Sequence, residues 1–310
     1  MTRTWTYSDI PDLTGKLALV TGANSGLGLY ATRGLAAHGA QVLMACRDRA
    51  KAQTAMQKIS AEIPHSKLEV LALDLADLSS VRRFADTLMQ RHERLDLLCN
   101  NAGVMALPHR TTRDGFEMQI GTNHLGHFAL TGLLLPLLKR SPAARVVTVS
   151  SLAYMMGRIR FDDLSWTQRY AKWPAYAQSK LANLMFAVEL ARRLQASSSK
   201  VISTAAHPGY AATHLQMAGP QMENSVMGKL LMAISNALFA QPAEMGALPT
   251  LYAATAPDVD NGEFFGPKGF LHIRGAPTRG RPGRRAKDAA AAERLWALSE
   301  RLTGVSYLSG

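Results

Sequence analysis

From Lys16 to about His207 the chain alternates short apolar runs with longer segments of helical periodicity, a pattern that few architectures accept. The runs are KLALVTG (16–22), QVLMAC (41–46), LEVLALD (68–74), LDLLCNN (95–101), RVVTVSS (145–151) and KVISTAA (200–206). Each is almost wholly apolar instead of alternating, as a strand covered by helices on both faces requires. Segments 27–38, 48–62, 79–93, about 112–139 and 175–198 have the pattern of crossover helices. The prediction is an α/β protein with a doubly wound parallel sheet, the Rossmann fold, in strand order 3-2-1-4-5-6 with a seventh strand beyond and helices on both faces.

A length of 310 residues with 47% hydrophobic content fits a single domain over 1–310, and no linker interrupts it. After residue 208 the alternation stops. Residues 210–240 are rich in Met and Leu, 262–287 are rich in Gly, Pro and Arg and read as a loop, and 289–302 reads as a last helix ending before Gly304. The only cysteines, Cys46 and Cys99, fall on strands flanking the first one, roughly 9 to 10 Å apart and beyond disulfide reach. They are expected to be core residues. The N-terminal segment lacks a signal-peptide pattern and no apolar stretch is long enough to span a bilayer, so a soluble cytoplasmic protein is expected.

The formal charge of +12 raises nucleic acid, acidic lipid or a phosphorylated ligand as partners. Half of that excess lies in 262–287, where seven cations face Glu263 alone. No aromatic stacking pattern or docking motif accompanies it, so nucleic acid is not the expected partner.

The first strand runs directly into TGANSGLG, whose residues Gly22, Asn24, Ser25, Gly26, Leu27 and Gly28 precede a helical pattern. Glycines at such a turn let the backbone approach a pyrophosphate, whose charge then sits over the amides of a helix N-terminus. The second strand ends in Arg47 and Asp48. An arginine there pairs with a 2′-phosphate, which favours NADP(H) over NAD(H); otherwise Arg47 is a solvated residue, while Asp48 caps the next helix. Asp74, followed by Leu75, either accepts from an adenine amino group or caps the helix beginning near Ser79.

Tyr176 and Lys180, in AYAQSKLAN, are four residues apart and share a helix face. An ammonium beside a phenol stabilises its phenolate and draws its pKa toward the working range. Ser151 closes the fifth strand, and NNAG, including Asn101, Ala102 and Gly103, closes the fourth, both at the sheet edge where doubly wound folds bind ligands.

With TGANSGLG, Asp74, NNAG, Asn123 in TNHLGHF, Ser151 in VTVSS, YAQSK and HPG at 207–209 in that order, the chain over about 14–256 resembles the short-chain dehydrogenase/reductase family. ACRD, NNAGVM, DGFEMQIGTNHLGHF and SSLAYMMGRIRFDDL resemble its retinol dehydrogenase-like branch. The resemblance implies a catalytic set of Asn123, Ser151, Tyr176 and Lys180. In it Tyr176 exchanges the hydroxyl proton, Ser151 bonds the substrate oxygen, Lys180 binds the nicotinamide ribose, and Asn123 holds a water. It also implies that Pro208, Gly209 and Thr213 form the loop over the nicotinamide. The family places a mobile substrate lid after that loop, here about 210–245. Its Met and Leu content suits a lipophilic alcohol, aldehyde or ketone, although the same stripe also fits helix core, an oligomer surface or peripheral membrane contact. Homo-oligomers are frequent in the family.

The expected activity is therefore NADP-dependent interconversion of a lipophilic alcohol and its carbonyl. The alternative is a non-catalytic NADP(H)-binding regulatory module. Two features depart from the common pattern. The Ser151–Tyr176 interval is long and holds Trp166, Tyr170 and Trp173, which either wall the substrate pocket or form an aromatic surface loop. The chain also starts about 16 residues before the first strand, without the N-terminal anchor that vertebrate members of the branch often carry. His124, His127 and His207 are expected to pack or hydrogen-bond, and no metal-site spacing is present.

Overall fold

Each of the six apolar runs forms a parallel strand in the computed structural model, which describes residues 4–210 and 241–307. They are β1 (Leu17–Thr21), β2 (Gln41–Cys46), β3 (Lys67–Ala72), β4 (Leu97–Asn100), β5 (Arg145–Val149) and β6 (Ile202–Ala206). Two further strands, β7 (Phe264–Pro267) and β8 (Pro277–Gly280), complete one sheet of order β3-β2-β1-β4-β5-β6-β7-β8. All neighbours are parallel except β7 and β8, which form an antiparallel hairpin.

The central strands are buried throughout, whereas β3, at the edge with β2 alone beside it, is half exposed. Helices α1 (Gly26–Ala37) and α2 (Arg49–Glu62) pack on one face, where Leu35, Met44, Ile59 and Val20 share a core. Helices α3 (Leu78–Arg91) and α4 (Gly126–Lys139) pack on the other, around Leu19, Leu43, Phe84 and Phe128. Helix α5 (Lys172–Ala196) adds Phe186 and Leu190 to that second layer, and α6 (Ala243–Thr255) adds Leu251 to the first. The last helix, α7 (Ala289–Thr303), lays Trp296 against Phe128 and Phe186 and ends on Gly304, whose φ of +62° is a left-handed cap. Cys46 and Cys99 are buried and free on β2 and β4, the two neighbours of β1.

Two expectations are corrected. Residues 262–287 are not a plain loop, because they build β7 and β8. Phe264 and Phe265 are a short apolar pair that β6 recruits, and Pro277 is tolerated at the head of an edge strand, where a ladder donor is not required on both sides. The helix expected over 112–139 starts later. Thr111 and Glu117 form an isolated antiparallel bridge, Glu117 caps a single turn at Met118–Ile120, and a π-helical turn follows at Gly121–Leu125 before α4. The lid expected at about 210–245 lies mostly outside the described residues, as does Thr213. Among the described residues no helix is long and apolar enough to cross a membrane.

Candidate active site

The carboxyl ends of β1, β2, β4 and β5 open onto one cleft of about 880 Å³. Its first wall is the turn after β1, with Gly22, Asn24, Ser25, Gly26, Leu27 and Gly28 all on the surface of the cleft. Gly22 and Gly26 have φ of +67° and +52°, backbone that side chains resist. A Cβ on Gly28 would lie 2.3 Å from the Gly22 carbonyl oxygen and 2.5 Å from Asn101 Nδ2, so only glycine lets helix and strand meet there. Ser25, the N-cap of α1, makes no side-chain capping bond, which leaves the first-turn amides facing the cleft.

The turn after β4 is pinned to β1 by Thr21, a role the sequence did not single out, and by the expected hydrogen-bonding of His127. Thr21 Oγ1 accepts from the amides of Asn101 and Ala102, both at 2.9 Å, and Asn101 Nδ2 donates to the Thr21 carbonyl at 2.8 Å. His127 Nε2 lies 2.9 Å from the same hydroxyl. Asn101, Ala102 and Gly103 are thereby presented on the wall of the cleft.

On the opposite wall stand Ser151, Tyr176 and Lys180. Tyr176 and Lys180 are buried one turn apart on α5, with Lys180 Nζ 5.9 Å from the tyrosine ring centre and donating to the Val149 carbonyl at 3.2 Å. Asn183 Nδ2 donates to the same carbonyl and Ser150 Oγ to the Lys180 carbonyl, so β5 and α5 are locked at this point. Burial pushes the Lys180 pKa down to about 8. Burial also pushes the Tyr176 phenol up to about 12, opposed by a hydrogen bond with Ser151. The expected lowering of the tyrosine by its lysine is not seen in this structure: loss of water around the phenolate dominates, and the contact that opposes it is the Ser151 hydroxyl.

A family model described as short chain dehydrogenase matches residues 16–224. The chain belongs to the short-chain dehydrogenase/reductase family. It is 42% identical to human retinol dehydrogenase 13 over 298 residues, which cover 94% of this chain and 85% of the relative. It is also similar to the solved structure of an uncharacterized protein from Mycobacterium paratuberculosis, at 46% identity and a TM-score of 0.81, covering 99% and 100% of the two chains. A third similarity is to Pseudomonas aeruginosa RhlG in an active-site complex with NADP, at 25% identity and a TM-score of 0.63, covering 82% and 94%. The chain is thus an NAD(P)-dependent oxidoreductase of the retinol dehydrogenase-like branch.

Within this short-chain dehydrogenase the remaining sequence candidates divide. Arg47, Asp74, Leu75, Pro208 and Gly209 line the cleft. Asp48 caps α2, accepting from the Lys51 amide at 3.0 Å and pairing with Lys51 Nζ at 3.2 Å. Asp74 does not cap α3; that is done by Asp77, whose carboxylate accepts from Ser79 and Ser80, while Asp74 Oδ1 takes the Ala76 amide.

Asn123 does not line the cleft. It is fully buried in the π-helical turn, its Oδ1 accepting from Val104 N at 2.8 Å and its Nδ2 donating to the Val104 carbonyl and Ser179 Oγ. Those bonds engage its amide, and its backbone carbonyl accepts from His127 Nδ1 at 2.9 Å, so the side chain braces the Val104 loop. His124 and His207 are likewise buried and hydrogen-bonded, to Ser299 Oγ and the Gly209 amide.

Of the three interval aromatics only Trp173 borders the cleft. Trp166 is buried under the Arg160 guanidinium, and the Tyr170 hydroxyl donates to the Leu107 carbonyl. Met155 and Met156, on the short helical turn that follows Ser151, line the cleft and were missed; the signal was the apolar LAYMM beyond a strand end. Among the described residues no group of His, Cys, Asp or Glu could hold a metal ion.

Proposed function

We propose that the chain is an NADP(H)-preferring oxidoreductase of one domain that interconverts a lipophilic alcohol with its aldehyde or ketone, with Tyr176 as general acid and base. The observation that carries this is the convergence of buried Tyr176 and Lys180 with Ser151 on the wall facing the glycine turn.

The glycine turn fits a dinucleotide, since Gly22, Gly26 and Gly28 all line the cleft at the start of α1, Gly28 allows the close packing of helix on strand there, and the Ser25 side chain does not occupy the first-turn amides. Asn24, Ser25 and Leu27 would hold the pyrophosphate, Asp74 and Leu75 the adenine, and Asn101 to Gly103 the adenosine-side ribose and nicotinamide flank. Arg47 favours a 2′-phosphate, because the neighbouring carboxylate, Asp48, is engaged in capping α2. RhlG, the relative in complex with NADP, supports the same choice. Pro208 and Gly209 would cover the nicotinamide. When bound, the cofactor would supply the hydride in reduction and accept it in oxidation.

The protein manages the proton. In reduction Tyr176, protonated at neutral pH, donates its hydroxyl proton to the carbonyl oxygen, which Ser151 Oγ also bonds. In oxidation the phenolate takes the alcohol proton. Lys180, still largely an ammonium at pH 7 with a pKa near 8, would bond the ribose, and the Ser151 hydroxyl is the group that favours the phenolate. Trp173, Met155 and Met156 give the mouth an apolar border suited to a lipophilic substrate. Free, buried cysteines accord with a reducing cytoplasmic setting.

The test is Tyr176→Phe. Turnover of NADPH with a panel of aldehydes and ketones of graded bulk should fall at least about 100-fold while NADPH binding, read by fluorescence, stays within twofold. Full turnover in the variant would overturn the assignment.

A further inference from the structure

The hairpin between β7 and β8 ends in an apolar tip that the oxidoreductase chemistry does not use. Phe270 and Leu271 are 84% and 64% exposed, among the most exposed large hydrophobics of the described residues. The tip is braced: Gly269 N donates to the Arg274 carbonyl, His272 N to the Gly269 carbonyl, and His272 Nδ1 lies 2.9 Å from the Pro267 carbonyl. Leu271 and His272 both take left-handed backbone, with φ of +52° and +56°, which costs energy for side-chain-bearing residues and persists where the surroundings fix it. Two large apolar side chains are thus held out in water on a fixed turn.

The hairpin is joined to the cleft. The Ile273 carbonyl accepts from Tyr210 N at 2.8 Å, and Gly209 and Tyr210 line the cleft; Gln241 bridges Pro208 and Gly275. A second exposed apolar pair, Met155 at 58% and Met156 at 74%, borders the same cleft, and Arg285 donates to the carbonyls of Met155 and Gly157.

Lys268 and Arg274 flank the Phe270–Leu271 tip along the chain, and Arg285 reaches the Met155 carbonyl. Arg279 is spent on Asp258 and Glu263, but Lys268, Arg274, Arg281, Arg284, Arg285 and Lys287 are exposed and form no ion pair with a described residue. Apolar side chains projecting among unpaired cations match an anionic bilayer, whose headgroups take the charges while the boundary of the acyl region takes the rings and branched chains.

We infer that the β7–β8 tip, with the basic turn at 284–287, docks this protein on an anionic lipid surface and sets the cleft mouth beside it. The docking stands on its own observations. Its consequence, that a lipophilic substrate enters from the bilayer, rests on the function proposed above.

The experiment is co-sedimentation of the full chain with vesicles of phosphatidylcholine alone or with one-quarter phosphatidylserine, at low and physiological salt. The expected result is binding to the anionic vesicles only, weakened by salt, and at least tenfold weaker in F270D/L271D and in K268E/R274E. NADPH fluorescence of both variants should match the wild type, which shows them folded and separates this idea from the cofactor reading. Absence of binding to anionic vesicles, or undiminished binding by F270D/L271D, would overturn it. So would a concentration-dependent dimer in light scattering that F270D/L271D abolishes, since a second copy would then cover the tip. Preference for single-stranded RNA over vesicles at equal phosphate, unchanged in F270D/L271D, would overturn it as well.

Discussion

Tyr176 carries the clearest tension between sequence and structure at the scale of single residues. The four-residue spacing to Lys180 is legible because one helical face is a local property. The direction of the tyrosine shift is not, because it depends on burial supplied by distant segments. Ser151 is the group that opposes that burial, so Ser151→Ala should cost about 10²- to 10⁴-fold in kcat with little change in NADPH affinity. An unchanged kcat would remove Ser151 from the proton path. Arg47→Ala tests the other end of the cleft: losing a charge-assisted phosphate contact of about 1.5–3 kcal/mol should raise the NADPH dissociation constant about 10- to 100-fold and leave NADH within twofold. Equal effects on both cofactors would refute Arg47 as the phosphate reader. That Thr21 and His127 together fix the Asn101 turn was not legible in the sequence, because they meet across 106 positions, although each lies in a motif and His127 was expected to hydrogen-bond.

Elements were legible where one signal dominated. The six apolar runs became six strands because a buried parallel strand has no polar face to confuse its pattern. A seventh strand beyond β6 was expected, but its place in 262–287 and its antiparallel partner β8 were hidden because both strands are four residues long and begin or end at Pro and Gly, the residues that ordinarily mark loops. The π-helical turn at Gly121–Leu125 was hidden inside what reads as a continuous helix, since one extra residue per turn leaves hydrophobic spacing nearly intact. Just beyond it, Gly132 makes a notch on α4 for the chain end: a Cβ there would fall 2.6 Å from both Tyr307 Cε2 and Val305 Cγ1. Gly132→Ala should therefore destabilise the fold by about 1–3 kcal/mol through overpacking, seen as a lower denaturant midpoint. NADPH binding should be unaffected, as the notch lies outside the cleft; a midpoint equal to wild type would show that the tail moves aside at no cost.

Across the whole molecule, three histidines sit in the seams between layers. His127 bonds Thr21 of β1, His124 bonds Ser299 of α7, and His207 receives the Gly209 amide beside β7, where a Cβ on Gly266 would press on its ring. Burial lowers their pKa values to about 4, 3 and 3, so the folded state holds all three neutral at any pH above about 5. The unfolded chain takes up a proton on each once pH drops below the ordinary value of about 6.5. More protons then bind to the unfolded state than to the folded one, and stability rises with pH through the window from about 4 to 6.5 and is lost as pH falls through it. Each histidine should cost roughly 2 kcal/mol between pH 7 and pH 5, which for three is a large share of a typical domain's stability. Urea denaturation at pH 7, 6 and 5 should show a midpoint that drops steeply. Carboxylate protonation enters mainly below that range, so the loss belongs to the histidines. His207→Gln should flatten the slope by about a third. A midpoint constant from pH 7 to 5 would mean that the seams admit water and that these rings are protonated without opening the fold.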